Sequence, residues 1–397
     1  MKKSFLFKTL LIFVVLVWSG VAFVFGFYQG YNQIPEPPKG LETEVDVSLI
    51  WDVWNKLENK YIDPLDHQKM IYGAAKGLVE SLDDPYTVFF KPVETKTFKE
   101  DISGSFEGVG MEITVKEGSL IVVAPLDGTP AKRAGILPGD EIVKIEDILT
   151  KDISVDQAVK MIRGERGTQV NVSILRKGWN EPKVFSIIRD KIIVPSVEIE
   201  FIEDDIAVIK LYQFTSGLSD QFGEEVSAII KGNTKKIILD LRNNPGGLLH
   251  QAQNIAGWFI QKGDIVTTEN KGEGYEKEEY LAVGNESLIN YPTVILINGG
   301  SASAAEILAA ALRENRDNVK LIGEKSFGKG SVQEPVDLRG GSLLKITIAH
   351  WLTPDGNLID NKGLVPDIEV EMTQDDYSNE RDPQMERAIE ELKNMGL

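Results

Sequence analysis

Two short stretches hold the residues best suited to chemistry. Gly323–Gln333 reads GEKSFGKGSVQ and sets Lys329 between Gly328 and Gly330. Asn298–Ile307 reads NGGSASAAEI and sets Ser301 and Ser303 after two glycines. A lysine between glycines has two chemical uses. Gly323-x4-Gly328-Lys329 approaches a phosphate-binding loop, in which a strand, a glycine loop and Lys-Ser/Thr open a helix. The stretch VKLIG supplies a strand, and KKIILD ends at Asp240 as an acidic strand would. Yet Gly330 stands where the hydroxyl should be, and SVQEPVDLRGGS is a poor helix former. Asp240 also precedes the loop instead of following it.

The other use is a base for a serine. Serine at a strand-to-helix turn among small residues lets a substrate backbone approach, and the helix N-terminus aims amides at a developing oxyanion. Ser301 or Ser303 could equally do no more than cap the helix. Serine is a weak nucleophile and needs a base. Of the three histidines, His67 falls in a helical region, His350 inside a strand where packing is expected, and His250 after NNPGGLL. A lysine can substitute if its surroundings depress its proton affinity. On an open loop Lys329 would be only a solvated charge.

These stretches need a scaffold. From residue 200 onward IAVIKLYQF, KKIILDL, YPTVILING and VKLIG read as strands, separated by helices up to about 231 and over 248–261 and 303–316. Alternation of this kind predicts a layered α/β core. SLLKITIAHWLTPDG reads as a strand with a turn, and DPQMERAIEELKNM as a short amphipathic helix. Between 104 and about 190, five short apolar runs and two helical candidates predict a compact, mostly β module. Helices are expected over 44–62 and 67–81.

Composition narrows the rest. The net charge of −18 argues against nucleic-acid binding, and the absence of cysteine excludes disulfides and thiolate chemistry. There is no HExxH, and EKEEY (276–280) reads as a solvated face, so no metal or cofactor is expected. At the N-terminus Lys2, Lys3 and Lys8 precede an uncharged run, Thr9–Phe27, long enough for one bilayer crossing. The bulky Gly26-Phe27-Tyr28 favours an uncleaved anchor over a signal peptide. Either reading puts the remainder outside the cytoplasmic membrane. IPEPPKG (34–40) follows as a linker.

NGGSASAAEI, GEKSFGKGSVQ and LDLRNNPGG together resemble the carboxyl-terminal processing (tail-specific) proteases, serine peptidases with a Ser/Lys dyad and an embedded PDZ domain. LDDPYTVFF (82–90), FEGVGMEI (106–113), TPAKRAGILPGDEIVKI (129–145) and TPDGNLIDNKGLVPDIEV (353–370) extend the resemblance in family order from about residue 45 to the end. It implies a crotonase/ClpP-like layered core. It further implies Ser303 as nucleophile, Lys329 as general base and Gln333 as the residue orienting the lysine amine. The oxyanion hole falls to amides of Gly246 or Gly247 and of Ala304. Ala305 stands where a third serine is common, which leaves Ser301 as the rival of Ser303. The dyad spacing, 329 − 303 = 26 positions, is one longer than usual. Glu314 stands where some members carry aspartate. The glycines around Lys329 are expected to let its backbone approach the substrate or the serine turn.

For the PDZ module the resemblance implies that Glu107, Gly108, Val109 and Gly110 hold a peptide carboxylate by β-strand addition. Arg133 in AKRAG could contact the protease body, which the sequence does not decide. Val109 and Met111 also suit ordinary core positions. The expected organisation is an anchor at 1–30, a linker at 31–43, a helical subdomain at 44–103 and a PDZ domain at 104–188. The protease core follows at 189–375 and a helical tail at 376–397. The expected function is a serine endopeptidase acting on unfolded or apolar C-terminal tails, with the PDZ module gating it. A homo-oligomer or an activating adaptor is compatible with this. A PDZ scaffold without catalysis, and an acyl-CoA enzyme on a crotonase-like core, are the other classes weighed.

Overall fold

The computed structural model describes residues 46–395 apart from Glu117, Asp127 and Asp204. Its contacts divide the chain into Met1–Ile71 and Tyr72–Leu397. The expected membrane run, Thr9–Phe27, lies outside the described residues. Among those described, no helix is long and apolar enough to cross a membrane.

In the first unit, helix α1 (Ser48–Lys60) has the predicted apolar periodicity but buries none of it; Ile50 and Trp51 are exposed. Trp54 stacks on His67, which bonds Glu58 at 2.9 Å. Helix α2 (His67–Glu80) carries the chain into the second unit.

The rest of the expected helical subdomain, after DDPY, contains a strand as well as a helix. Val88–Phe90 forms strand β1, because two aromatics and a β-branched valine suit a half-buried pleated surface better than a helix. Helix α3 (Pro92–Ser103) follows, with proline at its first turn and Gly104 at a left-handed C-cap.

Strands β2 (Ser105–Gly108) and β9 (Asp190–Ile193) pair antiparallel, so the chain enters and leaves the next module side by side. That module holds β3 (Met111–Lys116), β4 (Ser119–Pro125), β5 (Glu141–Ile145), β6 (Ile148–Leu149), helix α4 (Val155–Ile162), β7 (Gln169–Leu175) and β8 (Lys183–Ile188). All five predicted apolar runs are strands. Their inward residues, among them Val122, Ile142, Val172 and Ile174, form a core separate from the rest of the molecule.

The main sheet contains β10 (Val197–Ile202), β11 (Ile206–Leu211), β12 (Lys236–Asp240), β15 (Thr293–Ile297), β16 (Val319–Gly323) and β19 (Ile368–Glu369), in that order. All pairs but β10–β11 are parallel. Strands buried on both faces explain the unbroken apolar runs IILD and VILI. Helices α5 (Leu218–Lys231), α6 (Leu249–Phe259) and α7 (Ala304–Asn315) pack on one face, and the C-terminal α8 (Pro383–Asn394) on the other. A second sheet holds β13 (Ile265–Asn270), β14 (Glu278–Leu281), β17 (Ser331–Asp337) and β18 (Leu343–Leu352), with β1. One long edge of β18 pairs with β17, while β1 and β13 share the other.

Candidate active site

Parallel neighbours β12, β15 and β16 end at the same edge of the main sheet, and their following loops are the three motif stretches. In open α/β sheets this carboxyl edge is where sites form. The loops are locked by side chains. Asn243 and Asn298 exchange hydrogen bonds at 2.9 and 3.0 Å. Asn244 donates to Leu211 O at 2.7 Å, accepts from Gly246 N at 2.9 Å, and its carbonyl accepts from Ala302 N at 2.9 Å. Arg242 bridges Asp240 and Asp382 at 2.8 Å each, tying α8 to the base of the loop.

The two serines have different fates. Ser301 is fully buried; its hydroxyl donates to Leu241 O at 2.8 Å and accepts from Asn298 N at 3.0 Å. It fastens two loops together. Ser303 is half-buried at the N-cap of α7 with φ 54° and ψ −116°, and its hydroxyl makes no capping hydrogen bond. A left-handed non-glycine residue at this turn is strained. The strain presents its Oγ at the head of the helix.

Gly246 lies against this turn: a Cβ there would stand 2.6 Å from Ala302 O and 2.8 Å from Ser303 Cβ. The Gly246 amide is already used by Asn244. Neither the Gly247 amide nor that of Ala304, first residue of α7, has an acceptor among the described residues. At Gly247 a Cβ would meet Phe214 O at 2.4 Å.

Glu306 organises the site, and the sequence reading did not single it out. It is fully buried on α7. One of its oxygens accepts from Ser303 N at 2.8 Å and Lys329 N at 2.9 Å. The other accepts from Ser326 Oγ at 2.6 Å and Gly328 N at 2.7 Å. Burial raises its pKa, and these four donors oppose the rise. The backbones of Ser303 and Lys329 thus converge on a single carboxylate oxygen. The signal was present: Ser303-x-x-Glu306 has capping-box spacing.

Lys329 sits half-buried with its Nζ 5.4 Å from the centre of the Tyr86 ring. Burial lowers its pKa, against the pull of Glu306. Its amine has no hydrogen-bond partner among the described residues. The flanking glycines allow close approach of neighbouring backbone. A Cβ at Gly330 would meet Asp360 N at 2.2 Å, and one at Gly328 would meet Gly363 N at 2.9 Å. At these two glycines the backbone closes on the 360–363 turn, and one residue before them Phe327 N donates to Ser301 O of the serine turn at 3.0 Å. Gln333 lies on β17, where its amide donates to Ser331 O at 2.9 Å and Ser331 Oγ at 2.6 Å.

Other expectations fare as follows. His350 is not packed but exposed, 3.8 Å from Asp360. His250 contacts Gln251, and His67 lies in the first unit. Glu314 has a structural part, accepting from Asp355 N at 2.8 Å. Val109 is fully buried in the small module's core, and Met111 packs against it. The carbonyl of Val109 accepts from Ala131 N at 2.8 Å, and that of Gly110 from Thr129 Oγ1 at 2.8 Å. Arg133 reaches Gly128 O and, at 3.8 Å, Asp190 on β9, so it braces the module's exit strand.

Residues 205–370 match the model of peptidase family S41, 121–176 that of a PDZ domain, and 32–94 that of the activating protease CtpB N-terminal domain. The chain is 37% identical over 364 residues to the carboxy-terminal processing protease CtpA of Bacillus subtilis, covering 91% of this chain and 77% of the relative. It is 36% identical over 374 residues to a Staphylococcus aureus protein named as a CtpA-like serine protease, covering 93% and 73%. A Bacteroides fragilis crystal structure named as an S41 protease superposes with a TM-score of 0.55 at 16% identity, covering 90% of this chain and 100% of that one, a likeness of fold. The chain belongs to the S41 peptidases. It is a serine-type peptidase of the carboxy-terminal processing group, with a mixed α/β core and an inserted PDZ domain.

Proposed function

We propose that Ser303 and Lys329 form the catalytic dyad of this peptidase, and that it cleaves proteins near apolar or unfolded C-termini. The observation that carries this reading is the shared Glu306 oxygen, which holds the backbones of a strained serine and a desolvated lysine together. Neutral Lys329 takes the Ser303 hydroxyl proton as Oγ attacks the scissile carbonyl. The oxyanion forms at the Gly247 and Ala304 amides, whose hydrogens are otherwise unused. The lysinium then protonates the leaving amine, and Lys329 activates the water that frees the acyl group. Gln333, now bonded to Ser331, would swing to orient the amine.

In the same reading the loop Glu107–Gly110 receives substrate tails, and the Thr9–Phe27 run anchors the chain with its catalytic part extracytoplasmic. Recovery of the protein from cells in the alkali-soluble fraction would contradict the anchor. The dyad is tested by incubating the full chain in detergent with an unfolded protein bearing an apolar C-terminus. Cleavage is expected from wild type and lost in Ser303→Ala and Lys329→Ala. Cleavage surviving both substitutions would place the chemistry elsewhere.

A further inference from the structure

The amine of Lys329 lies over a ring. Its Nζ is 5.4 Å from the centre of the Tyr86 ring, within the range at which an aromatic face attracts a cation. Among the described residues this amine has no hydrogen-bond or ion-pair partner, and neither has the Tyr86 hydroxyl. Tyr86 comes from a distant part of the chain, just before β1, and hydrogen bonds fasten it there. Asp84 accepts from Tyr86 N at 2.9 Å and from Thr87 Oγ1 at 2.6 Å. Thr87 is buried and accepts in turn from Thr347 N of β18 at 3.0 Å. Thr347 stands opposite Gln333 of β17, the strand that follows the Lys329 loop. From Val88 onward β1 pairs with β18 as well. The backbone that carries the ring is therefore set by the sheet and not by its own turn alone.

We propose that Tyr86 is a positioning residue for the base: its ring face seats the Lys329 amine and favours the lysinium formed during the reaction. The proposal rests on the dyad reading above.

A ring quadrupole attracts the ammonium form and gives the neutral amine little. The contact therefore strengthens as the Ser303 O–H bond breaks and its proton passes to Nζ. An interaction that grows toward the transition state is the kind that speeds a step. The proton then moves from Nζ to the leaving amine, and Tyr86 itself gains and loses nothing. Its phenol keeps its own proton, because burial, and then Asp360, Asp84 and Glu306, raise its pKa. Charged groups act on the site from several elements. Glu306 on α7 favours the lysinium, but burial outweighs it. Lys345 on β18 has its pKa lowered by burial and then by the Lys329 charge, with Asp84 opposing. Asp360 accepts from Gly330 N at 3.3 Å and faces His350. Among the described residues none of these makes an ion pair with Nζ. A carboxylate paired with the amine would hold its proton through the ordinary pH range. A ring attracts the cation more weakly, so Lys329 can take the proton and still give it away.

The test compares Tyr86→Phe with the same variant carrying a trifluorinated ring, in the full chain in detergent. Fluorination keeps the ring's size and shape but withdraws charge from its face. Lys329 is titrated by trace acetylation across pH with mass-spectrometric readout, beside the pH profile of kcat/KM on a peptide with an apolar C-terminus. Tyr86→Phe should stay within about twofold of wild type. Fluorinating that ring should lower the apparent pKa of Lys329 by about half a unit. The acid limb of kcat/KM should move down equally, and its plateau should fall roughly threefold. Fluorination that moves neither the titration nor the limb overturns the proposal alone, since the ring would then be packing only. A loss in Tyr86→Phe as large as that in Tyr86→Leu also overturns it, since the hydroxyl would then be what acts. Cleavage retained by Lys329→Ala overturns the dyad and the proposal with it.

Discussion

The loops at the carboxyl edge of the main sheet and the PDZ loop Glu107–Gly110 are both short and glycine-containing, yet they are held differently. The first are cross-braced by buried side chains: Asn243 with Asn298, Asn244 with Leu211, Ser301 with Leu241, and Glu306 with four donors. The second is held mainly through its carbonyls and by the Val109 side chain in a small core of its own. The module meets α3 through Arg163–Glu100 at 3.3 Å and Lys96–Glu107 at 3.7 Å, pairs open in part to water. Over-determined loops can keep a residue as strained as Ser303 in place. The loop Glu107–Gly110 is braced by fewer buried side chains, and its first two residues are held in β2 by pairing with β9. On the proposed reading, chemistry falls to the more heavily braced loops and tail recognition to the other.

The contrast breaks first at Glu306. Glu306→Gln replaces an acceptor of four hydrogen bonds by an amide that must turn donors toward donors. A loss of about 3 kcal/mol is expected, read as a lower urea midpoint, together with a large fall in kcat. A variant as stable and active as wild type would mean that the shared carboxylate does not organise the site. The serine pair sharpens the difference. Ser303→Gly should abolish cleavage while gaining about 1 kcal/mol from relieved strain. Ser301→Ala should lose about 1–2 kcal/mol yet keep most of its activity. The opposite pattern in denaturant melts and cleavage assays would exchange their roles.

The pH dependence has a defined sign. Lys329 acts as a base only when neutral, and its pKa lies below the ordinary lysine value because it is buried. Activity should therefore rise with pH and level off well before the range of a solvated lysine. A limb still rising at about pH 10 would mean that Lys329 is hydrated during turnover. The smallest effects belong to the PDZ side. Deleting residues 104–188 should alter the preference between tagged and untagged tails and leave the hydrolysis of a short peptide within severalfold. Glu100→Gln, removing a partly exposed pair, should cost under about 1 kcal/mol. Tail preference unchanged by the deletion would remove the module from substrate choice.

Much of this arrangement was readable in the chain itself. Ser303 and Lys329 lie in stretches that follow apolar strands, where local sequence carries the signal. The five strands of the small module and the alternation of the core were legible for the same reason. Glu306 was visible only as capping-box spacing, because its partners at 326–329 come from another loop. Tyr86 stands beside Lys329 because the next strand, β1, pairs with β18, a pairing between residues more than 250 positions apart that no local pattern announces. The glycines around Lys329 were read correctly as sites of close approach, but what they approach, Asp360 and Gly363, is set by tertiary packing. Strand β17 holds Pro335, which β18 tolerates because β17 has no second neighbour among the described residues.

The most direct test is to trap the nucleophile. Full-length protein in detergent would be treated with a peptide aryl phosphonate ending in an apolar residue, and the adduct mapped by mass spectrometry. Modification of Ser303 is expected in wild type and in Ser301→Ala, with modification slowed about a thousandfold or more in Lys329→Ala. An adduct on Ser301, or one on Ser303 that forms as fast without Lys329, would contradict the dyad.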